Sequence, residues 1–374
     1  MSCVKVVQMK RQWMVRISVA AVLAGALTVP SPRVAATGVD IPARLTDQDF
    51  WRLVTDLSEP NGYFRSDNLL SNEMWFQYIV PDLVGYLKPG GVYLGVGPEQ
   101  NFTYIAALKP KMVFIIDIRR GNLHTQLMYK ALFELSNDRA DFVSMLFSRK
   151  RPDGLTASSS VQDIFTAVSA APRPDAVYTE NFKKLTEHLT KKHNFALSKE
   201  DLDGIDYVYG NFFTHGPSIN YNSSQGGGGR GGNMSTYASL MTTTDAAGQT
   251  RSYLATDALF HVMKDLETRN LLIPLVGDFA GPKAIRAVGK YLKEQGATVT
   301  AFYLSNVEQY LTQSGVWQSF CNNIASLPLT DDSTFIYSQQ NRGGGGGGLG
   351  SYYRPMLADV KTFSCASGGP ALTR

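Results

Sequence analysis

Cysteine is scarce in this chain: Cys3, Cys321 and Cys365 are the only three in 374 residues. No CxxC pair and no zinc-ligand spacing occurs, which excludes a zinc module and a disulfide-dense scaffold. Cys321 and Cys365 can form one disulfide in an oxidising compartment, although neither their number nor their spacing demands it. The five histidines are scattered, so a metal site would need ligands assembled from distant loops, and the sequence predicts no metal. A GxSxG elbow, an HExxH helix and a telltale carboxylate pair are also missing. No apolar run reaches the roughly 20 residues of a transmembrane helix. Glycine, by contrast, is plentiful, with tracts at Gly226–Gly232 and Gly343–Gly348. Neither tract carries the GK[ST] of a phosphate loop, so both read as flexible surface loops.

The first 36 residues stand apart. Lys5, Lys10, Arg11 and Arg16 precede the uncharged run Ile17–Val29, and Pro30-Ser31-Pro32-Arg33-Val34-Ala35-Ala36 follows with Val34 and Ala36 at the −3 and −1 positions. This is the pattern of a secretory signal peptide over residues 1–36. It predicts a periplasmic or secreted protein with no stable membrane anchor after leader cleavage; the alternative is a cytoplasmic protein in which this stretch is a buried or frayed helix, or one whose start is Met9 rather than Met1. Removing residues 1–36, which hold five Lys/Arg and no Asp/Glu, takes 36 basic residues to 31 against 32 acidic ones, and the net charge from +4 to −1. Nothing in that balance asks for nucleic acid or an anionic membrane. A small-molecule ligand fits better, and no protein partner is named by it.

The remaining chain reads as α/β. Leu45–Leu57 is predicted helical, capped by Thr46, with Phe50, Leu53, Val54 and Leu57 on one face. The polar stretch Ser58–Glu73 contains Pro60 and Asn61-Gly62, which forbid regular structure. It is either a loop in which Ser71 and Asn72 cap the helix Met74–Leu87, or a lid over a ligand site. Val92–Val96 and Met112–Asp117 are continuous apolar runs, as strands covered on both faces require. Between them Gly95 and Gly97 allow close approach to a ligand, and Asn101 is placed to cap the next helix. Asp117, at the end of the second strand, is placed to accept hydrogen bonds from both hydroxyls of a ribose. The turn reads GxGPEQN rather than GxGxxG, and Glu99 in it would repel a pyrophosphate, so a nucleoside without phosphates suits it better.

Further along, helices are predicted to about Leu135 and over Asp138–Ser148, and residues 153–205 form a polar insertion whose Lys183-Lys184 and Lys191-Lys192-His193 make a solvated face. Residues 206–213 resume a strand pattern, followed by His215 at its end. Ser252–Arg269 is predicted helical and Leu271–Val276 a strand, with Gly277-Asp278 as its exit turn. Pro282 opens the next helix, and Thr298–Leu304 is a strand. Ser333–Ser338 is read as the last strand, antiparallel to it. The expected architecture is an α/β, Rossmann-like sheet, mostly parallel with an antiparallel last strand and helices on both faces. Residues 37–73 hold the first helix and the polar segment, 74–340 the domain with its insertion and a Gly-rich loop at 223–233, and 341–374 a Gly-rich loop and tail.

The glycine turn after the first strand, Asp117 on the second and the closing strands resemble the class I S-adenosylmethionine-dependent methyltransferase fold over roughly residues 74–340. The phrases GVYLGVGPEQNFTYIAAL, FIIDIRR and LVGDFAGPKA with FYLSNVEQYL also look like a bacterial family of uncharacterised proteins assigned that fold. The resemblance implies S-adenosylmethionine as cofactor, held by Gly95, Gly97, Glu99, Gln100, Asn101 and Asp117, with methyl transfer to an acceptor as the reaction. The chain departs from that pattern in carrying Leu94 where an acidic residue is usual, and Gly210-Asn211-Phe212-Phe213 in place of an Asn/Asp-Pro-Pro-aromatic motif. Asn211, His215 and Asp278 are the candidate catalytic groups, with His215 the candidate base because an imidazole titrates near neutrality. The leader argues for two other readings: an exported protein of the same fold that binds another small ligand, or an exported interaction protein without catalysis.

Overall fold

A computed structural model describes residues 40–225, 234–341 and 352–359. The predicted signal peptide and both glycine tracts lie outside the described residues.

The apolar runs become strands. β1 (Val92–Gly95), β2 (Met112–Asp117) and β3 (Leu272–Val276) are buried at every position, and β4 (Val299–Ser305) at most of them. β5 (Leu329–Asn341) and β6 (Tyr352–Asp359) complete a sheet of order β3-β2-β1-β4-β5-β6. Pairing is parallel from β3 to β5 and antiparallel between β5 and β6. The fold is therefore Rossmann-like, with the strand order of a doubly wound sheet.

Between the strands run the helices. α1 (Asp47–Leu57) and α2 (Val80–Tyr86) precede β1, and α3 (Gln100–Leu108) joins β1 to β2. The long β2–β3 connection holds α4 (Arg120–Leu135), α5 (Arg139–Leu146), α6 (Val161–Ala170), α7 (Asp175–Glu187), α8 (Lys199–His215), α9 (Tyr237–Thr242) and α10 (Asp257–Thr268). α11 (Ala284–Glu294) follows β3, and α12 (Val307–Gln313) and α13 (Trp317–Ile324) follow β4. Among the described residues no helix is long and apolar enough to cross a membrane.

Side-chain alternation assigns helices to both faces. On β4, Phe302 meets Phe279, which stacks on Phe320 of α13, while its neighbour Tyr303 meets Tyr104 of α3. Phe114 of β2 meets Tyr291 of α11. α4 is buried all round from Asn122 to Phe133, because the sheet lies on one side and the insertion on the other. Edge-to-face and stacked rings of Phe102, Tyr129, Phe133, Phe142 and Tyr253 lock α3, α4, α5 and the approach to α10 together. Each such pair adds about 0.5–1.5 kcal/mol beyond the area it buries.

Several expectations need correction. Residues 206–213 are not a strand but the second half of α8. Their aromatic and β-branched residues suggested a strand, yet the buried positions Ile205, Val208, Tyr209 and Phe212 recur at i, i+3, i+4 and i+7, the helical period. Ser198 caps this helix reciprocally with Asp201. Residues 333–338 do form strand, but parallel to β4. α12 and α13 make the crossover that a parallel return requires, and the antiparallel strand is β6, beyond the second glycine tract. The helix expected from Met74 is a 3₁₀ turn, Phe76–Ile79, running into α2, with no side-chain cap. α11 starts at Ala284, so Pro282 precedes the helix rather than opening it. His193 is buried and ion-paired rather than solvated. Cys321 is disulfide-bonded; Cys3 and Cys365 lie outside the described residues.

Candidate functional site

The polar stretch before β1 crosses the carboxyl ends of the strands in their spatial order. At β3, Ser58 Oγ accepts from Val276 N at 3.0 Å and Glu59 N donates to Val276 O at 2.8 Å. The Glu59 carboxylate also accepts from the backbone N–H groups of Lys283 and Ala284, at 2.7 and 2.8 Å, where α11 begins. At β2, Gly62 N donates to Ile118 O at 2.8 Å and Asn61 Oδ1 accepts from Arg120 N at 2.7 Å. At β1, Ser71 N donates to the Glu99 carboxylate. At β4, Glu73 Oε1 accepts from the Tyr303 hydroxyl at 2.8 Å and Ser305 Oγ at 2.7 Å. These bonds pin a segment that belongs to no helix or strand at four strand ends, and they make it a fixed wall.

Between this wall and the strand ends lies a pocket with about 160 Å³ open to the centre of a water-sized sphere. β1 contributes Val96, Gly97 and Pro98; β2 contributes Asp117, Ile118 and Arg119; β3 contributes Gly277, Asp278 and Phe279; β4 contributes Tyr303, Ser305 and Asn306. From the wall come Phe64, Asn68 and Ser71, and Tyr221 and Tyr310 close the sides. β1 and β4 flank the point where the strand order reverses, the crevice at which open α/β sheets bind ligands. Two of the lining residues, Asn68 (φ 45°) and Ser305 (φ 51°), hold left-handed backbone without being glycine. Such conformations cost on the order of 1–3 kcal/mol and gather at ligand sites.

The glycine turn is wired from behind. Asn101 does not cap α3: its Nδ2 donates to Val96 O at 2.9 Å and Pro98 O at 2.8 Å, and its Oδ1 accepts from the Tyr93 hydroxyl at 2.9 Å. Gly95 is required by this packing rather than by a ligand, because a Cβ there would overlap Asn101 Oδ1 and come within 2.8 Å of the Tyr93 ring. Gly97 is different. Its φ of 77° is glycine territory, a Cβ would meet nothing, and it faces the pocket. Gln100 is buried, donating to Glu73 Oε2 at 2.7 Å and to the Tyr104 hydroxyl at 2.8 Å, and its Oε1 accepts from Ser71 Oγ. Glu99 is also buried, and desolvation pushes its carboxyl up to about 8 against the opposing bonds from backbone N–H groups. At neutral pH it is an uncharged acid behind the turn, so the repulsion of phosphate expected from its position in the sequence is absent.

Asp117 and Arg119 form the charged corner of the pocket. Asp117 Oδ1 accepts from Arg119 N at 2.9 Å, and Oδ2 pairs with Arg119 Nη2 at 3.1 Å. Arg119 Nη1 donates to Asp67 O, and its Nε is buried without a partner, as is Asn68 Oδ1. A carboxylate has about four lone-pair directions, so Asp117 keeps acceptor capacity toward the pocket. Asp278 Oδ1 accepts from Ala280 N at 2.9 Å, which shapes the β3 exit turn, and the residue lines the pocket.

The structure thus brings Gly97, Asp117 and Asp278 to the pocket and places Glu99, Gln100 and Asn101 directly behind it. It does not bring Asn211 or His215 there, since both lie on α8. Asn211 Nδ2 donates to Tyr207 O within the helix, and His215 is exposed at its end. Sequence reasoning offered Phe64 and Asn68 only as part of the Ser58–Glu73 stretch, read as loop or lid, and missed Tyr221, Tyr303 and Tyr310 as lining residues. Tyr221 lies in a turn, Tyr303 on β4 and Tyr310 on α12, with no shared spacing. Arg119 had a signal in its place two residues after Asp117, directly before a helix.

In comparisons with known proteins, the family described as Domain of unknown function (DUF7790) matches residues 68–347, a span that includes β1 to β5 but not β6. No curated protein matches the chain.

Proposed function

We propose that this chain, which belongs to the DUF7790 family, binds an adenosyl nucleoside in its strand-end pocket, with S-adenosylmethionine as cofactor and methyl transfer as its reaction. The observation that carries this reading is the position of Asp117 at the end of β2, the strand paired with β1, whose Gly97 turn lines the same pocket. A carboxylate there accepts from both ribose hydroxyls, and a Cβ-free turn lets the rest of the ligand lie against the backbone. The rings of Phe64, Tyr221 and Tyr310 offer faces for a purine, and the unpartnered Arg119 Nε offers a donor to an anionic group such as the methionyl carboxylate. Methyl transfer asks mainly for in-line placement of the acceptor, so a pocket without histidine is compatible with it. Asp278 is the ionisable side chain left to meet an acceptor.

A second reading has one observation in its favour. The signal-peptide pattern of residues 1–36 would carry the protein away from the cytosol, where S-adenosylmethionine is made. In that case the same pocket serves another nucleoside-like small molecule, without methyl transfer.

Calorimetric titration of the chain from Thr37 separates these. Micromolar binding of S-adenosylhomocysteine, lost in Asp117→Ala, supports the first reading. Binding of adenosine with indifference to the homocysteine moiety supports the second. No heat with either ligand at millimolar concentration overturns both.

A further inference from the structure

A second cluster of functional side chains lies apart from the pocket, where α7 runs on past its end beside α4. Residues His188–Lys192 continue α7 as a π-helical turn, with His193 N donating to His188 O at 3.1 Å. Such turns are rare in helices and recur at functional sites. This one sets the rings of His188 and His193 5.0 Å apart. Both Nε2 atoms then face one oxygen, Glu134 Oε2, at 2.8 Å each. The three candidate ligand atoms lie within 4.8 Å of one another. All three side chains are buried, with 8% (His188), 5% (His193) and 2% (Glu134) of their surface exposed.

We propose that Glu134, His188 and His193 form a binding site for a divalent transition metal of the zinc class. Two imidazoles and a carboxylate are a ligand set that zinc accepts, leaving a fourth position for water. A carboxylate also stands behind one of the two imidazoles, as behind metal-bound histidines. His193 Nδ1 lies 2.7 Å from Asp47 Oδ1 while its Nε2 faces Glu134, so both ring nitrogens face carboxylate oxygens. A neutral ring has one N–H only. Nδ1–H donating to Asp47 leaves the Nε2 lone pair for a metal, and Asp47 then plays the orienting part that carboxylates play behind metal-bound histidines. Asp47 is itself fixed by Asn270 Nδ2 at 2.8 Å.

Hydrogen-bond accounting points the same way. Glu134 Oε2 is approached by three donors, the two histidines and Lys192 Nζ at 3.0 Å, whereas Oε1 has only the ion pair with Lys130 Nζ at 2.8 Å. The two imidazole Nε2 atoms and this carboxylate oxygen thus already converge on one point, as ligation requires. Against the metal stand two lysines. Lys130 is buried, held by Glu267 O and Asn270 Oδ1 at 2.6 Å each, and stays, which lowers the affinity. Lys192 is 59% exposed and withdraws into water, opening the approach to the fourth position.

The test uses the full chain, stripped with chelator and titrated with Co(II) and then Zn(II). One equivalent of cobalt with intense visible bands of a tetrahedral site, displaced by zinc, is expected. His188→Asn and His193→Asn abolish the bands. Asp47→Asn weakens binding by about 10–100-fold, the usual cost of losing a residue behind a ligand. Lys192→Met removes a competing cation and tightens binding by at least about threefold; an ion-pair hub without a metal would show no such gain. The proposal is overturned if neither the wild type nor Lys192→Met, both folded by circular dichroism, binds cobalt or zinc at about 100 μM, far weaker than built zinc sites.

Discussion

Replacing Glu99 by Gln isolates the effect of one buried acid on stability. The carboxyl is fully buried, its one cross-chain hydrogen bond comes from Ser71 N, and desolvation pushes it up to about 8 from the 4.5 of an exposed Glu. The folded state therefore holds a proton that the unfolded state has released between those values. Stability from this group is fully present below about pH 4.5, falls as pH rises, and levels off above about pH 8. The slope is one proton, close to 1.4 kcal/mol per pH unit, so roughly 2.7 kcal/mol is lost between about pH 5.5 and 7.5. Glu267 is also pushed up to about 8 by burial, with both carboxyl oxygens unpartnered, and adds a second proton of the same sign. The His124 imidazole, lowered by burial against its bond to Asp201, contributes with the opposite sign. Comparing variant with wild type cancels those groups. Urea unfolding at a series of pH values should give Glu99→Gln a slope shallower by about one proton, with the variant more stable at pH 7.5. Equal slopes would mean that Glu99 is ionised in the folded protein and that the turn carries a negative charge after all.

Two further substitutions probe the frame. Gly95→Ala drives a methyl into the Asn101 side chain that ties the turn to Tyr93, Val96 and Pro98. Overpacking and the unmet buried polar groups together should cost about 3–5 kcal/mol, read as a lower urea midpoint; a change under about 0.5 kcal/mol would refute that packing role. Asp201→Asn breaks a buried hub that accepts from Arg120 Nε at 2.6 Å and from His124 Nε2 at 2.9 Å. Because Arg120 is partly exposed, the loss should be about 2–4 kcal/mol, below the full cost of a stranded buried charge. A midpoint unchanged from wild type would show that solvent already serves Arg120.

Local pattern carried the fold further than the site. The runs 92–96, 112–116 and 271–276 are continuous and apolar because their strands are covered on both faces, 298–304 is broken only by Thr298 and Thr300, and Thr46 declares the start of α1 by its side-chain bond to Asp49 N. α8 was misread because Tyr207, Val208, Tyr209, Phe212 and Phe213 favour strand by type, while the period that decides the matter begins at Ile205. β6 lies after a glycine tract and carries Pro355, a composition that hides an edge strand. The network behind the pocket was out of reach for a different reason. Ser71, Glu73, Gln100, Tyr303 and Ser305 meet across separations of 27 to 232 residues, and no spacing rule reports such meetings. His193 is a further case. In the sequence it ends a basic run that reads as solvated, while in the fold the π-turn, Glu134 59 residues earlier, Asp47 and the stacked Phe195 ring surround it.

The central claim is that Asp117 and the Gly97 turn hold a nucleoside. A crystal structure grown with S-adenosylhomocysteine tests it most directly. The account predicts ribose hydroxyls within hydrogen-bond distance of Asp117, the purine against the Phe64, Tyr221 and Tyr310 rings, and the Glu59–Glu73 wall in its present place. Ligand bound elsewhere, or an unoccupied strand-end pocket at saturating ligand, would contradict it.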